Sequence, residues 1–176
     1  IAYELAEDAY LDGVRLLELR INPLIHRRAG LTTRQVIHAT RKGLSRFGGQ
    51  HPDFKAGIIV IAMRSHGGNM ARILLREVIG EKEEYHQGVG VVGFDIAGPE
   101  AGFPPSRHLD AFQLIHHANF HVTIHAGEAF GLPSIWEALQ WCGAERLGHG
   151  VRIVDDITID PDGHIAMGRL AQYVRD

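Results

Sequence analysis

Two periodicities alternate along the chain. Apolar positions Tyr3, Leu5, Ala6, Ala9 and Tyr10 recur at helical spacing over residues 2–12. Next, VRLLELRI (Val14–Ile21) alternates apolar and charged residues as a strand does, until Asn22 and Pro23 break it. Thr32 with Gln35 predicts a capping box that opens a helix to about Phe47, and Gly48, Gly49 and Pro52 part it from the apolar strand Lys55–Met63. A helix over about Asn69–His86 then precedes a strand at Val89–Asp95. After the glycine- and proline-rich AGPEAGFPPS, a helix over about Arg107–Ala118 precedes a strand at His121–His125. Ser134 with Glu137 predicts a second capping box, for a helix ending near Cys142 and Gly143, and Arg146–Gly148 is the short strand after it. Ile165–Val174 reads as one last helix.

Five helix-then-strand steps imply α/β structure with a parallel sheet. The polar, glycine-bearing clusters FDIAGPE, HAGE and GHG follow three successive strands. An open doubly wound sheet gathers its ligand at one switch point, whereas a (β/α)8 TIM barrel draws site residues from the ends of several strands. The pattern therefore favours a barrel. A whole barrel needs about 250 residues, so residues 1–176 are expected to form a single incomplete arc of it. The chain also begins and ends inside helical patterns, which is the pattern expected of an interior segment of a longer protein.

Charge and composition narrow the function. Eighteen Lys and Arg against 21 Asp and Glu leave a net charge of −3, with no basic excess for a nucleic-acid partner. No apolar run approaches the roughly 18 residues of a membrane span, and no signal-peptide pattern is present, so a cytoplasmic location is the default. A single cysteine, Cys142, excludes an internal disulfide and the paired cysteines of zinc fingers; a buried hydrophobic role is expected for it. Any metal chemistry must use histidine and carboxylate, and the chain has 12 histidines.

Two of these stand out. His125 is delivered by a short β run to a strand end, Gly127 permits a sharp turn, and Glu128 faces the same mouth. A neutral imidazole there suits a zinc ion and a nearby carboxylate can carry a proton, although HAGE alone is equally a strand cap beside a solvated glutamate. His149, flanked by Gly148 and Gly150 after the next strand, has little to pack against. One strand earlier, Gly98 can bring its backbone N–H against a planar ligand, and Asp95 can orient a neighbouring group or simply cap its turn. The glycines Gly88, Gly90 and Gly93 match a dinucleotide fingerprint but fall in a strand, so the match is discarded. No nucleophile elbow is present. The other ten histidines, Arg27 and Arg28, and the run Glu81–Glu84 are expected to be structural or solvated.

GFDIAGPE, TIHAGE and RLGHG, in that order and with the ELRINP and MRSH segments before them, resemble the adenosine deaminase family of the metal-dependent amidohydrolase superfamily, in particular its bacterial members. The resemblance runs over nearly the whole chain and places it at roughly strands two to six of the family's barrel. It implies hydrolytic deamination of adenosine to inosine and ammonia at one zinc ion, with a small purine nucleoside as the partner. His125 would be a zinc ligand, Glu128 the donor of a proton to purine N1, His149 the group that orients and deprotonates the water, and Gly98 a backbone contact to N3. The family's first-strand histidine pair and last-strand aspartate pair have no counterpart here, so the segment alone is expected to be inactive. Pro99 stands where animal members have aspartate. The same motifs serve deaminases of adenine or aminofutalosine, and a non-catalytic binding or assembly module is the alternative of another class.

Overall fold

The structure, a computed structural model, describes residues 1–82 and 89–176. The elements run α1 (Ala2–Leu11), β1 (Leu16–Ile21), a 3-10 turn, α2 (Thr33–Gln50), β2 (Lys55–Met63), α3 (Gly68–Lys82) and β3 (Val91–Ala97). They continue through a second 3-10 turn with α4 (Leu109–His117), β4 (Thr123–Ala126), α5 (Leu132–Gln140), β5 (Arg146–His149), a third 3-10 turn, β6 (Ile157–Ile159), β7 (Ile165–Met167) and α6 (Arg169–Arg175). The five expected helix-then-strand steps are all present. The expected end of the third helix at His86 lies outside the described residues, as do Gly88, Glu83 and Glu84 and the side chains of Arg28 and Glu81.

The strands neighbour one another in sequence order. Parallel ladders join β1 to β2 and β2 to β3, and another joins β4 to β5. A single parallel bridge, Phe94 to Val122, links β3 to β4, with Phe94 N donating to His121 O at 2.9 Å. Among the described residues no strand reverses the order, as a doubly wound sheet requires at its switch point.

Curvature decides the architecture. In a flat sheet β1 and β5 would stand four strand spacings apart, on the order of 19 Å. Instead, Arg146 at the start of β5 donates to both Glu18 oxygens of β1, at 2.5 and 3.1 Å. Two residues on, the same face of β1 sends Arg20 Nε to Asp95 Oδ2 of β3 at 3.1 Å. Inward side chains from alternate strands thus meet in layers, the filling of a TIM barrel interior. The outer face of the arc packs on the helices through Ile58, Val60, Phe94, Leu74, Phe112 and Ile135, all buried. Among the described residues, β1 and β5 carry no further strand on their outer edges.

Two expectations at the level of elements are corrected. Ser134 and Glu137 form no capping box: α5 starts behind Gly131 with Pro133 in its first turn, and the Ser134 hydroxyl donates instead to Glu100 Oε1 at 2.7 Å. The last helix is also shorter than Ile165–Val174. Ile165–Met167 pairs antiparallel with Ile157–Ile159 as a hairpin, and the helix begins at Arg169. The turn Asp160–Gly163 drives this: Asp160 Oδ1 accepts from Asp162 N and His164 N, and Gly163 sits at φ +84. Asp156 then caps the new helix by accepting from Ala171 N at 2.9 Å. The Thr32–Gln35 capping box is formed as expected, and Cys142 is fully buried.

Candidate active site

The site is built at the C-terminal ends of β3, β4 and β5. His125 is held at three points. Its Nδ1 lies 2.6 Å from Asp95 Oδ2, its backbone N donates to Asp95 Oδ1 at 3.0 Å, and its carbonyl accepts from Arg64 Nη2. Asp95 is wholly buried, so two strands fix one imidazole through one carboxylate. Arg64, at the end of β2, also donates to Phe103 O at 3.0 Å. Burial lowers its pKa, while Glu100 and Asp95 oppose that shift.

His149 faces His125 with ring centroids 5.0 Å apart. Its Nε2 is 3.5 Å from Glu128 Oε2. The glycines explain the motifs. A Cβ at Gly148 would lie 3.1 Å from His125 Nδ1, and one at Gly127, where φ is +72, only 2.5 Å from Ile135 Cδ1 and Cγ1. His149 itself has φ +65, a left-handed conformation that costs a non-glycine residue about 1–3 kcal/mol and tends to gather at functional sites. Gly98, φ +102, leaves β3 just behind this mouth, with its Cα face against Met63.

The residues singled out in the sequence, Asp95, Gly98, His125, Glu128 and His149, therefore lie at or just past adjacent strand ends, with His149 facing His125 on one side and Glu128 on the other. Three others were missed. Arg20 and Arg64 sit at the ends of β1 and β2, where a charge interrupts an apolar run, which is the signal that could have found them. Glu100 gave no such signal: it lies two residues past Gly98 in a loop and is 5% exposed. It accepts from the backbone N of Gly127, Glu128, Ala129 and Phe130 as well as from Ser134. Burial acts to raise its pKa, but Ser134 and the loop amides outweigh that and leave it lowered. The remaining described histidines stand apart. His108, for example, is buried against Arg64 O, its pKa pushed down by desolvation.

The family model described as Adenosine deaminase matches residues 1–176. The chain belongs to the adenosine deaminase family. Adenosine deaminase 1 of Streptomyces coelicolor is 51% identical over 180 residues, covering all of this chain and 44% of that protein. This family chain thus spans less than half the length of that curated relative. An amidohydrolase from Burkholderia ambifaria solved with bound Zn matches with TM-score 0.77 and 27% identity, over 88% of this chain and 42% of that one. The adenine deaminase of Arthrobacter aurescens shares the fold with TM-score 0.78 at 24% identity, over 92% of this chain and 46% of that one.

The family chain's own donors bear on a metal. An imidazole whose Nδ1 is committed to a buried carboxylate leaves Nε2 open and fixed in direction, which is the habit of metal-bound histidine. His125 therefore fits zinc as one ligand. Catalytic zinc takes three protein ligands, of which His125 would be one. Among the described residues, the one group of three ligand atoms in mutual reach is Asp160, Asp162 and His164, all exposed in the segment between β6 and β7. No helix of the described residues is long and apolar enough to cross a membrane.

Proposed function

We propose that residues 1–176 are one incomplete barrel domain from the centre of a cytoplasmic, zinc-dependent hydrolase that deaminates adenosine and deoxyadenosine in purine salvage. The observation that carries this reading is the Glu128–His149 pair, 3.5 Å apart, beside an imidazole anchored by Asp95. Membership of the adenosine deaminase family supports it, as does the zinc in the Burkholderia ambifaria relative.

In the overall reaction water adds to C6 of the purine, the bond from C6 to the exocyclic nitrogen breaks, and ammonia leaves. When bound, zinc supplies Lewis-acid activation of the attacking water at neutral pH. His125 would hold the metal through Nε2, with Asp95 fixing the tautomer and direction of the ring. Glu128 would hold a proton at its carboxyl for purine N1, so that C6 becomes electrophilic and can turn tetrahedral. His149 would orient the water and accept its proton; the strained backbone directs the ring toward both His125 and Glu128. The Gly98 N–H would meet purine N3 from the loop after β3.

The test uses the full-length polypeptide that carries this chain, loaded with zinc and offered adenosine, adenine and aminofutalosine. Adenosine turnover that falls about 10²- to 10⁴-fold in Glu128→Gln, with zinc content unchanged, is the expected result. Absence of turnover on adenosine, with turnover of one of the others, would replace the substrate. The isolated 176 residues, short of ligands, are expected to turn over none of the three.

A further inference from the structure

Glu100 is placed to do more than fill a buried site. Its carboxylate accepts from four successive backbone N–H groups, at 2.6 Å from Gly127, 2.9 Å from Glu128 and 3.1 Å from Phe130, with Ala129 between them. The Ser134 hydroxyl donates to Oε1 at 2.7 Å and ties the first turn of α5 to the same carboxylate. An ionised acceptor facing this many donors makes charge-assisted bonds, roughly twice as strong as neutral ones. Its lowered pKa agrees with a carboxylate held in the ionised form. The residue is reached from β3 by only Gly98 and Pro99, and Pro99 fixes its own φ.

The loop after β3 and the loop after β4 are therefore joined at one carboxylate. The first carries Gly98 and the second Glu128. We propose that Glu100 is a positioning residue that sets the separation between the Gly98 N–H and the Glu128 carboxyl, the two groups that would meet N3 and N1 on either side of purine C2. This rests on the function proposed above. Each loop has one further tie, Arg64 Nη1 to Phe103 O at 3.0 Å in the first and Arg152 N to the Gly127 carbonyl at 2.9 Å in the second, but it is Glu100 that bonds the amide of Glu128 and those on either side of it. His125 is held separately, by Asp95 and Arg64, so the metal ligand and the acid are positioned by different residues and can be perturbed one at a time.

The experiment compares Glu100→Gln with wild type in the full-length polypeptide. Glutamine keeps the shape but turns one oxygen into an NH2 that meets N–H donors. Three readouts are expected together: faster hydrogen exchange at the amides of residues 127–130, unchanged zinc content, and a kcat lowered about 30- to 100-fold with KM little changed, the scale of a 1 Å misplacement. Glu100→Asp, which keeps the charge but falls one methylene short, folds more readily and is expected to show the same pattern in smaller degree. Amide exchange unchanged in both variants, or freed amides with wild-type kcat, would overturn the proposal. So would a loss of activity that only tracks the unfolded fraction. If wild type deaminates none of the three substrates the functional reading fails by itself, and the exchange data still decide whether the clamp exists.

Discussion

Replacing Asp95 by asparagine keeps the volume of the side chain and removes an acceptor where three donors converge. His125 N, His125 Nδ1 and Arg20 Nε lie 3.0, 2.6 and 3.1 Å from its oxygens. An amide has one accepting oxygen and one NH2 group. With the oxygen facing Nδ1 and Arg20, the NH2 confronts the backbone N–H of His125; turned over, it confronts the imidazole and the guanidinium. Either way a buried donor faces a donor, which costs about 1–3 kcal/mol beyond the lost charge assistance of the other bonds. A destabilisation of about 3 kcal/mol follows, seen as a lower Tm. The effect on function is separate. With the imidazole free to rotate or change tautomer, zinc affinity is expected to drop about 10- to 100-fold, as when a carboxylate partner of a liganding histidine is removed. Thermal unfolding and competition against a chromophoric zinc chelator, both on the full-length polypeptide, measure the two effects. Wild-type zinc affinity in Asp95→Asn would refute the claim that Asp95 orients His125 for a metal.

Two further outcomes follow from the packing. Gly127→Ala adds a Cβ 2.5 Å from two Ile135 atoms at a position with φ +72, so a loss of about 2–4 kcal/mol in urea unfolding is expected; a change below about 1 kcal/mol would mean that the turn can be rebuilt. Burial, with Glu137 nearby, pushes the Cys142 thiol from 9.0 up to about 12. Because the folded pKa exceeds the unfolded one, this contribution to stability is whole below about pH 9 and is lost as pH rises toward 12. The wild-type chain should therefore lose up to about 1.4 kcal/mol more stability per pH unit in that range than Cys142→Ala does, and its thiol should resist iodoacetamide until the chain unfolds.

The alternation of helix and strand and the strand-end placement of HAGE and GHG, which sets His149 beside His125 and Glu128, were legible in the sequence because each depends on residues near in the chain. Periodicity marks which face of an element is buried, and a glycine marks a turn whatever surrounds it. The same local rules failed at Ser134. The helix starts earlier than a Ser134 cap requires, behind Gly131, and the hydroxyl inside its first turn goes to Glu100, 34 residues earlier, through a buried bond. They failed again at Ile165–Val174, where pairing with Ile157–Ile159 across a tight turn outweighed helical periodicity.

What the sequence determined by itself is the order of the elements, the family, and the motifs that fall at the strand ends. Only the tertiary structure decided how they are held. The curl that brings Arg146 to Glu18 and Arg20 to Asp95 joins positions up to 128 residues apart, and the Glu100 contacts cross 27 to 34 residues. A carboxylate in a loop has no periodicity to betray it. Its role arises from the backbone N–H groups that folding points at it, and those exist as a set only once β3 and β4 lie side by side.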